Sequence, residues 1–301
     1  MRLKLRLYRL LQLSIMSLVV ATYFYFQPVT AQDDSPITVV VTFSVLKDMT
    51  QQLGGDAVEV TSLVRRGGDP HHFEPSSKDL QYVAQADVLV SNGLELEPWL
   101  ASLLNTSEFS GEHVVASEGI APLDDGVVDP HAWHDLRNGM IYAENITAGL
   151  AARDTKNNAY YQQRLEAYLE KAEKLHSELK EAFKSLPEEH RNIMTANGGF
   201  QYFGDAYEIN FIVTPALSSK AEPSSSDVMA IAEKAAQYDR IAIFSDRATN
   251  PKLIDRLAAV TGMPVSGPLF AESLGPEGSP ADSYLGMVRW NAGQFMTALQ
   301  N

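Results

Sequence analysis

The stretch I-T-V-V-V-T-F-S-V-L-K-D-M-T-Q-Q-L-G-G-D-A-V-E-V-T-S-L-V, residues 37–64, indicates the fold class of the chain. Residues 37–43 are an almost unbroken run of β-branched and apolar side chains, which is typical of a strand buried on both faces. Residues 44–53 follow with a helical pattern that ends at a pair of glycines, and residues 57–64 form a second strand. A strand, a helix and a second strand in this order predict a parallel βαβ unit.

The same alternation continues along the chain and is interrupted by a long helical segment. Residues 155–186 carry apolar side chains at three- and four-residue spacing, which predicts one helix with a core-facing stripe. Such a helix spans about 45 Å, since each residue adds roughly 1.5 Å. The remaining strands are predicted at 87–92, 113–117, 192–196, 210–213 and 240–245, and residues 263–267 lead into a last strand or loop. We therefore expect an α/β fold in which two lobes with parallel sheets are joined by one long, rigid helix.

This reading divides the chain into four parts. They are a signal peptide at 1–31, an N-terminal α/β lobe at 32–154, an inter-lobe helix at 155–186 and a C-terminal α/β lobe at 187–301. Neither a short internal repeat nor a low-complexity linker is evident in the sequence.

The N-terminal segment resembles a secretory signal. Basic residues within 2–9 precede a short apolar run, and V-T-A stands before Gln32 at the offsets of a cleavage site. An uncleaved membrane anchor is the alternative, but Gln12 and Ser14 interrupt the run. Because no cysteine follows the run, we expect a mature protein that is released into the periplasm and is not a lipoprotein.

Net charge and the missing cysteine restrict the possible partners. Residues 1–31 hold four of the 24 basic side chains and none of the 38 acidic ones, so the remaining chain has a formal charge of −18. This charge argues against nucleic acid and anionic membrane surfaces, which bind basic patches. Without cysteine, the chain has no disulfide and no thiolate ligand. Any metal ion must therefore be held by imidazole, carboxylate, amide oxygen or water.

Four of the seven histidines lie in two loops that share the tripeptide Asp-Pro-His. The loops are G-G-D-P-H-H-F-E-P-S-S (67–77) and D-P-H-A-W-H-D (129–135). Proline fixes φ and holds the preceding residue extended, so each tripeptide is a stiff support for an imidazole. The aspartate could orient the ring through a hydrogen bond. The first loop follows a strand, and parallel sheets bind ligands at the carboxyl ends of their strands.

Each loop also contains a second histidine whose role the pattern leaves open. His71 and His72 are adjacent and would point apart, so at most one of them is expected to bind a shared ligand. His131 and His134 are three residues apart and could share a helical face, although ligation by His131 alone is the preferred interpretation.

Four segments, in this order, resemble one protein family. They are G-G-D-P-H-H-F-E-P-S, D-P-H-A-W-H-D, T-A-N-G-G-F-Q-Y-F-G-D-A-Y and L-F-A-E-S-L-G-P-E-G-S-P-A-D-S-Y. The family is that of the zinc/manganese-type, or cluster A-I, substrate-binding proteins of metal ABC transporters. The resemblance covers essentially all of the chain after residue 31. It implies two Rossmann-like lobes joined by one long helix, with a divalent metal ion in the cleft between them.

The resemblance also implies a ligand set. Its first two metal ligands correspond to His71 and His131. The third, a His or Glu in the family, falls on Asn197, and the fourth, usually Asp, falls on Glu272. The amide oxygen of asparagine is a weak ligand for zinc or manganese, so Asn197 or a water molecule would complete the site.

The function implied is capture of a divalent transition metal ion in the periplasm and its delivery to an inner-membrane ABC permease. Zinc is the favoured ion, and manganese or iron is possible. We expect a monomer without enzymatic activity. Two other hypotheses stay open: a degenerate relative that acts in interaction or sensing, and an exported metallohydrolase that uses the same histidines with a metal-bound water.

Overall fold

Two four-stranded parallel sheets form the framework of the molecule. The computed structural model describes residues 35–123, 126–196, 198–214, 217, 224–245 and 250–300. The first sheet has the order β2-β1-β3-β4 and the second the order β6-β5-β7-β8. The strands are β1 Ile37–Val41, β2 Val58–Ser62, β3 Val88–Ser91, β4 Glu112–Val115, β5 Asn192–Thr195, β6 Asn210–Val213, β7 Ala242–Phe244 and β8 Val265–Ser266.

The predicted α/β fold with two parallel sheets is confirmed. β1 is central in its sheet and pairs in parallel with both β2 and β3. Its residues Val39, Val40 and Val41 are fully buried, as expected for a strand that is covered on both faces. The second sheet repeats the arrangement, with β5 between β6 and β7. In each sheet the strand that comes first in the sequence, β1 or β5, is therefore an inner strand, and later strands lie on both sides of it.

Helices connect the strands, and their ends follow local sequence signals. Ser76 and Asp79 form a capping box at the second helix, and Ser224 and Asp227 form another at the seventh. The helices are α1 Ser44–Gly54, α2 Ser77–Ala84, α3 Leu100–Ser107, α4 Leu136–Arg153, α5 Asn158–Lys184, α6 Gln201–Tyr207, α7 Ser225–Ala235, α8 Pro251–Thr261 and α9 Tyr284–Gln300. Within the described ranges, none of these helices has the length and apolar character needed to span a membrane.

The long helix is present as α5. Its 27 residues bury one stripe of side chains, among them Leu165, Leu175 and Phe183, and it is about 40 Å long. It packs mainly against α4. The exact division of the chain at residues 154 and 186 stays a prediction, and the predicted signal peptide lies outside the described residues.

One helix begins later than the sequence pattern suggests. The apolar pattern predicts a helix over 97–104, whereas α3 begins at Leu100. The reason is that Glu97 turns its carboxylate inward, where it accepts hydrogen bonds from the backbone N–H groups of Asn92 and Gly93. Residues 92–99 therefore form a loop that is tied to the carboxyl end of β3.

The strand order brings several loops to one edge of the first sheet. The two Asp-Pro-His tripeptides follow β2 and β4, which are the outer strands, and Asn92 directly follows the inner strand β3. In open parallel sheets this edge is where ligands bind. The loop between β8 and α9, residues 267–283, reaches the same region, because Leu274 N–H donates to Ser44 Oγ at 3.1 Å.

Gly139 in α4 provides a test of the packing between α4 and α9. A Cβ at Gly139 would overlap the hydroxyl of Tyr284, the first residue of α9. We expect Gly139→Ala to lower the free energy of unfolding by about 1–3 kcal/mol, because the core has no space for the methyl group. Urea denaturation of the purified protein would measure the change.

Gly293 is the matched control. It lies in α9, and an added Cβ would meet nothing within 4 Å. Gly293→Ala should leave the stability unchanged or raise it by about 0.5–1 kcal/mol through lower backbone entropy. Equal stabilities for the two variants would contradict the packing described for Gly139.

Candidate metal centre

The first Asp-Pro-His loop holds His71 at the carboxyl end of β2. Asp69 Oδ1 accepts the backbone N–H of His71 at 2.8 Å, which fixes the turn. The indole Nε1–H of Trp99 donates to the Pro70 carbonyl at 2.7 Å. The second carboxylate oxygen of Asp69 lies 2.8 Å from Nδ1 of His72. Asp69 therefore orients the ring of His72 and fixes only the backbone of His71.

The second loop repeats the turn and adds an orienting bond to the ring. Asp129 Oδ1 accepts the backbone N–H of His131 at 2.9 Å and lies 2.7 Å from Nδ1 of the same ring. With Nδ1 bonded in this way, Nε2 is the nitrogen left to face a ligand. The side-chain amide of Asn92 donates to the Pro130 carbonyl at 2.9 Å. The orienting role suggested for the aspartates thus applies to Asp129.

A tyrosine from the second half of the chain also contacts this loop. The Tyr202 hydroxyl, at the start of α6, donates to the Asp129 carbonyl at 3.2 Å. It also accepts the backbone N–H of Leu123 at 2.9 Å. Tyr202 therefore joins α6 to both ends of the segment that leads into His131.

Glu272 lies in the loop between β8 and α9, and the preceding residue is held from the first half. The carbonyl of Ala271 accepts hydrogen bonds from Trp133 Nε1–H at 3.2 Å and from His134 Nε2 at 2.8 Å. A carbonyl only accepts, so Nε2 of His134 carries the proton and cannot also ligate a metal ion. His134 is buried and serves to hold the Glu272 loop.

The residues after Glu272 are bonded to the first half as well. Arg66 donates to the carbonyls of Gly275 and Asp282, each at 2.8 Å. Ser273 Oγ accepts the backbone N–H of Gly67 at 2.6 Å. Glu272 follows the second sheet in the chain, yet its loop is anchored to the loops and helices of the first sheet.

Three predicted site residues converge. Nε2 of His71 lies 3.6 Å from Oε1 of Glu272, and Nε2 of His131 lies 3.7 Å from the same oxygen. The three ligand atoms all lie within 4.8 Å of one another. Two donors that are each about 2.1 Å from a tetrahedral ion are roughly 3.4 Å apart. The three side chains can therefore share one ion after small movements.

The nitrogen that faces the cluster has no hydrogen-bond partner within residues 35–123, 126–196, 198–214, 217, 224–245 and 250–300. Nε2 of His131 is buried and forms no hydrogen bond among the residues that the structure describes. An unpaired buried polar atom costs free energy, and a bound cation would satisfy this one. The side chains of His71, His131 and Glu272 are 28, 11 and 26% exposed, so the cluster is partly shielded yet open to an arriving ion.

Opposite charges dominate the electrostatics of the cluster. Burial alone lowers the pKa of His131, but the hydrogen bond to Asp129 and the charges of Asp129 and Glu272 outweigh it and raise the pKa to about 9. Burial raises the pKa of Glu272, whereas the facing imidazoles of His131 and His71 lower it to about 2. At neutral pH the metal-free cluster therefore holds an imidazolium beside a carboxylate.

Of the other candidates, His134 and His72 take no part in the three-residue cluster. Burial lowers the pKa of His134 to about 3, so it is neutral. The side chain of His72 is 85% exposed and is paired with Asp69. Asn197, the fourth predicted site residue, lies outside the described residues. The residues that hold the two loops, Asn92 and Trp99, have no counterpart among the sequence predictions, although N-G-L-E-L-E-P-W (92–99) is rich in turn and polar residues.

Comparison with known proteins identifies the family. The family model described as "Zinc-uptake complex component A periplasmic" (ZnuA) matches residues 39–298. The chain belongs to this family of metal ABC transporter substrate-binding proteins. Members of the ZnuA family are substrate-binding components of transporters, so the expectation that the chain is not an enzyme is confirmed. The family resemblance seen in the four segments is confirmed as well.

Relatives in the ZnuA family are named for different metal ions. The manganese ABC transporter substrate-binding lipoprotein PsaA of Streptococcus pneumoniae is 33% identical over 267 residues, covering 85% of this chain and 86% of its own. The iron ABC transporter substrate-binding lipoprotein MtsA of Streptococcus pyogenes serotype M1 is 32% identical over 282 residues, covering 90% and 91%. The ion bound by this chain therefore does not follow from membership.

Solved structures agree with the fold. The periplasmic zinc binding protein TroA of Treponema pallidum matches with a TM-score of 0.77 and 28% identity, covering 88% of this chain and 99% of its own. A manganese-bound periplasmic metal binding protein of Candidatus Liberibacter asiaticus matches with a TM-score of 0.77 and 27% identity, covering 87% and 99%. The fold is that of metal-binding proteins of the same kind.

The relatives correct the expected localisation. Lack of cysteine predicts a periplasmic protein that is not a lipoprotein, yet PsaA, MtsA, SloC of Streptococcus mutans and FimA of Streptococcus parasanguinis are all named lipoproteins. The expectation is contradicted by these names. Its physical basis was too narrow, because the absence of one residue type excludes a single attachment chemistry and does not establish free diffusion.

The two buried histidines of the second loop, His131 and His134, should titrate at opposite extremes in the metal-free protein. The pKa of His131 is raised, so this ring should stay protonated until the pH approaches about 9. The pKa of His134 is lowered, so this ring should stay neutral until the pH falls toward about 3. Histidine ring signals followed by NMR from pH 4 to 10 would show one imidazolium that persists above pH 8 and one imidazole that does not protonate above pH 5. If both titrate near the ordinary value of about 6.5, the described hydrogen bonds are wrong.

Proposed function

We propose that this protein captures a divalent transition metal ion with His71, His131 and Glu272 and delivers it to an ABC permease. The observation that supports it best is the buried Nε2 of His131, which has no hydrogen-bond partner in the described part of the chain and lies in a cluster with His71 and Glu272. These three residues come from three separate loops that hydrogen bonds hold together. Asn197 or a water molecule completes the coordination.

The donor set explains why a transition metal ion is the substrate. Two neutral imidazoles and one carboxylate offer two nitrogen atoms and one negative charge, a mixture typical of zinc, iron and manganese sites. With a dication bound, the set leaves one net positive charge. Amide oxygen from Asn197 adds no charge, so binding should be weaker than in a site with two carboxylates.

Zinc is the ion that we propose. Affinities of nitrogen and oxygen sites rise from manganese through iron and are high for zinc. Tetrahedral coordination by His71, His131, Glu272 and one further donor is an ordinary zinc geometry. TroA of Treponema pallidum is named a zinc binding protein. The manganese and iron names of PsaA and MtsA make those two ions the competitors that an experiment must include.

Delivery follows from the architecture that we propose. Residues 1–31 act as an export signal, and a monomer then presents the lobes 32–154 and 187–301, joined by the helix 155–186, to a permease in the cytoplasmic membrane. The long helix resists bending, so we expect closure on the ion to be a small shift of the lobes. The permease receives the ion on the outer side of that membrane.

Removing a ligand should abolish tight binding. We expect His71→Ala, His131→Ala and Glu272→Ala each to weaken zinc binding more than about 100-fold, beyond the roughly 10–100-fold cost of losing an outer-shell partner. Competitive titration with a zinc chelator would give the dissociation constants, with manganese and ferrous iron measured in parallel. Elemental analysis of the protein from its native compartment would identify the bound ion.

His72→Ala is the control, since its side chain is 85% exposed and lies outside the cluster. Its affinity should equal that of the wild type. In cells that lack the chromosomal copy, the wild type and His72→Ala should restore uptake of labelled zinc, whereas Glu272→Ala should not. A wild-type protein without bound metal and without measurable affinity would favour the degenerate relative instead.

The two aspartates of the tripeptides should differ in their effect on binding. Asp129 bonds both the backbone and the ring of His131, whereas Asp69 bonds the backbone of His71 and the ring of His72. We expect Asp129→Ala to weaken zinc binding about 10–100-fold, because the ring loses its orientation, and Asp69→Ala to have a smaller effect. The same chelator titration measures both, and equal losses would argue against ring orientation as the cause.

A further inference from the structure

We propose that the loop 92–99 sets the separation of His71 and His131, and that Glu97 and Trp99 are positioning residues of the metal site. This inference rests on the proposed function and concerns residues that do not contact the ion. It begins from a geometric difficulty. β2 and β4 are the two outer strands of the first sheet, so the loops that follow them start about 14 Å apart, at roughly 4.8 Å per strand spacing. The imidazole centroids of His71 and His131 are only 5.5 Å apart.

The loop 92–99 bridges this gap, because it binds each tripeptide at the equivalent atom, the carbonyl oxygen of the proline. Trp99 Nε1–H donates to the carbonyl of Pro70 at 2.7 Å. Asn92 Nδ2–H donates to the carbonyl of Pro130 at 2.9 Å. Each carbonyl belongs to the residue directly before a ligand histidine, so its position decides where that histidine begins. Both donors lie in the loop that follows β3, an inner strand between the two outer ones.

The loop has an unusual backbone. Gly93, Leu94 and Glu95 have φ values of 82°, 51° and 63°. Left-handed conformations of residues with a Cβ are uncommon, because the Cβ crowds the backbone. Such conformations persist only where the surroundings impose them. Leu96, which follows directly, is fully buried and anchors the turn in the core.

Glu97 imposes the conformation. Its buried carboxylate accepts hydrogen bonds from Thr42 Oγ1–H at 2.6 Å, from Asn92 N–H at 2.7 Å and from Gly93 N–H at 3.2 Å. Burial raises the pKa of Glu97, while these donors oppose the rise. All three partners donate, so the group acts as an acceptor. A buried carboxylate is costly unless it is bonded in this way, and here it joins β1, through Thr42, to the turn.

The two donors are themselves held in place. The hydroxyl of Tyr142 donates to Oδ1 of Asn92 at 2.6 Å, which leaves the side-chain amide nitrogen of Asn92 to face Pro130. The ring of Trp99 packs edge-on against Phe73, with centroids 4.9 Å apart. Phe73 is two residues beyond His71, so Trp99 contacts the first loop on both sides of its ligand. The positions of both imidazoles therefore depend on one rigid turn.

Trp99→Phe and Glu97→Gln test this role. Trp99→Phe keeps an aromatic ring and removes the indole N–H donor. Glu97→Gln keeps the size of the side chain and places an amide where three hydrogen-bond donors converge. Tyr161→Phe is the control, because it removes one buried hydrogen bond, from Tyr161 OH to Asp154 at 2.6 Å, at the junction of α4 and α5. Cobalt(II) serves as the probe, because its visible absorption reports coordination geometry. Its dissociation constant, its spectrum and the melting temperature of the metal-free protein are measured for each variant.

We expect Trp99→Phe and Glu97→Gln to weaken cobalt binding about 10–100-fold and to change the absorption spectrum. Tyr161→Phe should lower only the melting temperature. Unchanged affinity and spectrum in Trp99→Phe would overturn the inference even if Glu97→Gln fails to fold. NMR of the histidine rings in the metal-free proteins separates this inference from the proposed function, because it does not require metal binding. If the wild type binds no metal, shifted His71 and His131 signals in Trp99→Phe still support the role of the loop. Unshifted signals overturn it.

Discussion

The carboxylate of Glu272 faces two imidazoles at 3.6 and 3.7 Å, and the local structure is arranged around this contact. The distances are too long for hydrogen bonds and close to those of donors that share one ion. In the metal-free protein a proton on His131 balances the carboxylate, and Asp129 supports the resulting charge from the other side of the ring. An arriving dication would replace this proton. The proposed site therefore exchanges a proton for a dication, and the carboxylate faces a positive charge in both states.

The anchoring of Glu272 determines what kind of site this is. Hydrogen bonds from Trp133, His134 and Arg66 attach residues on both sides of Glu272 to the first half of the molecule. Hydrogen bonds thus hold the three converging donors in one set of loops, although they are distant in sequence. Neutral His134 is a suitable support, because a charged ring at that position would compete with the ion for Glu272.

Much of the fold was predictable because its signals are local. Continuous β-branched runs, capping residues and apolar spacing are each read within a few neighbours. They predict strands β1 to β7 and the long helix, and they leave residues 263–267, where β8 lies, as a strand or a loop. The pair His71 and His131 is suggested by the repeated tripeptide, whereas Glu272 follows only from the family resemblance. The bonds from Trp99 to Pro70 and from His134 to Ala271 join residues that are 29 and 137 positions apart. Such contacts leave no pattern in the sequence, so the different partners of Asp69 and Asp129, and the structural role of His134, required coordinates.

The anchored loop has a consequence for the order in which the protein matures. During synthesis the loops that carry His71 and His131 emerge before Glu272, which follows β8 in the sequence. A chain that does not yet include Glu272 therefore presents the two imidazoles of the proposed site without their carboxylate. The proposed site is complete only once all three loops are present and packed together.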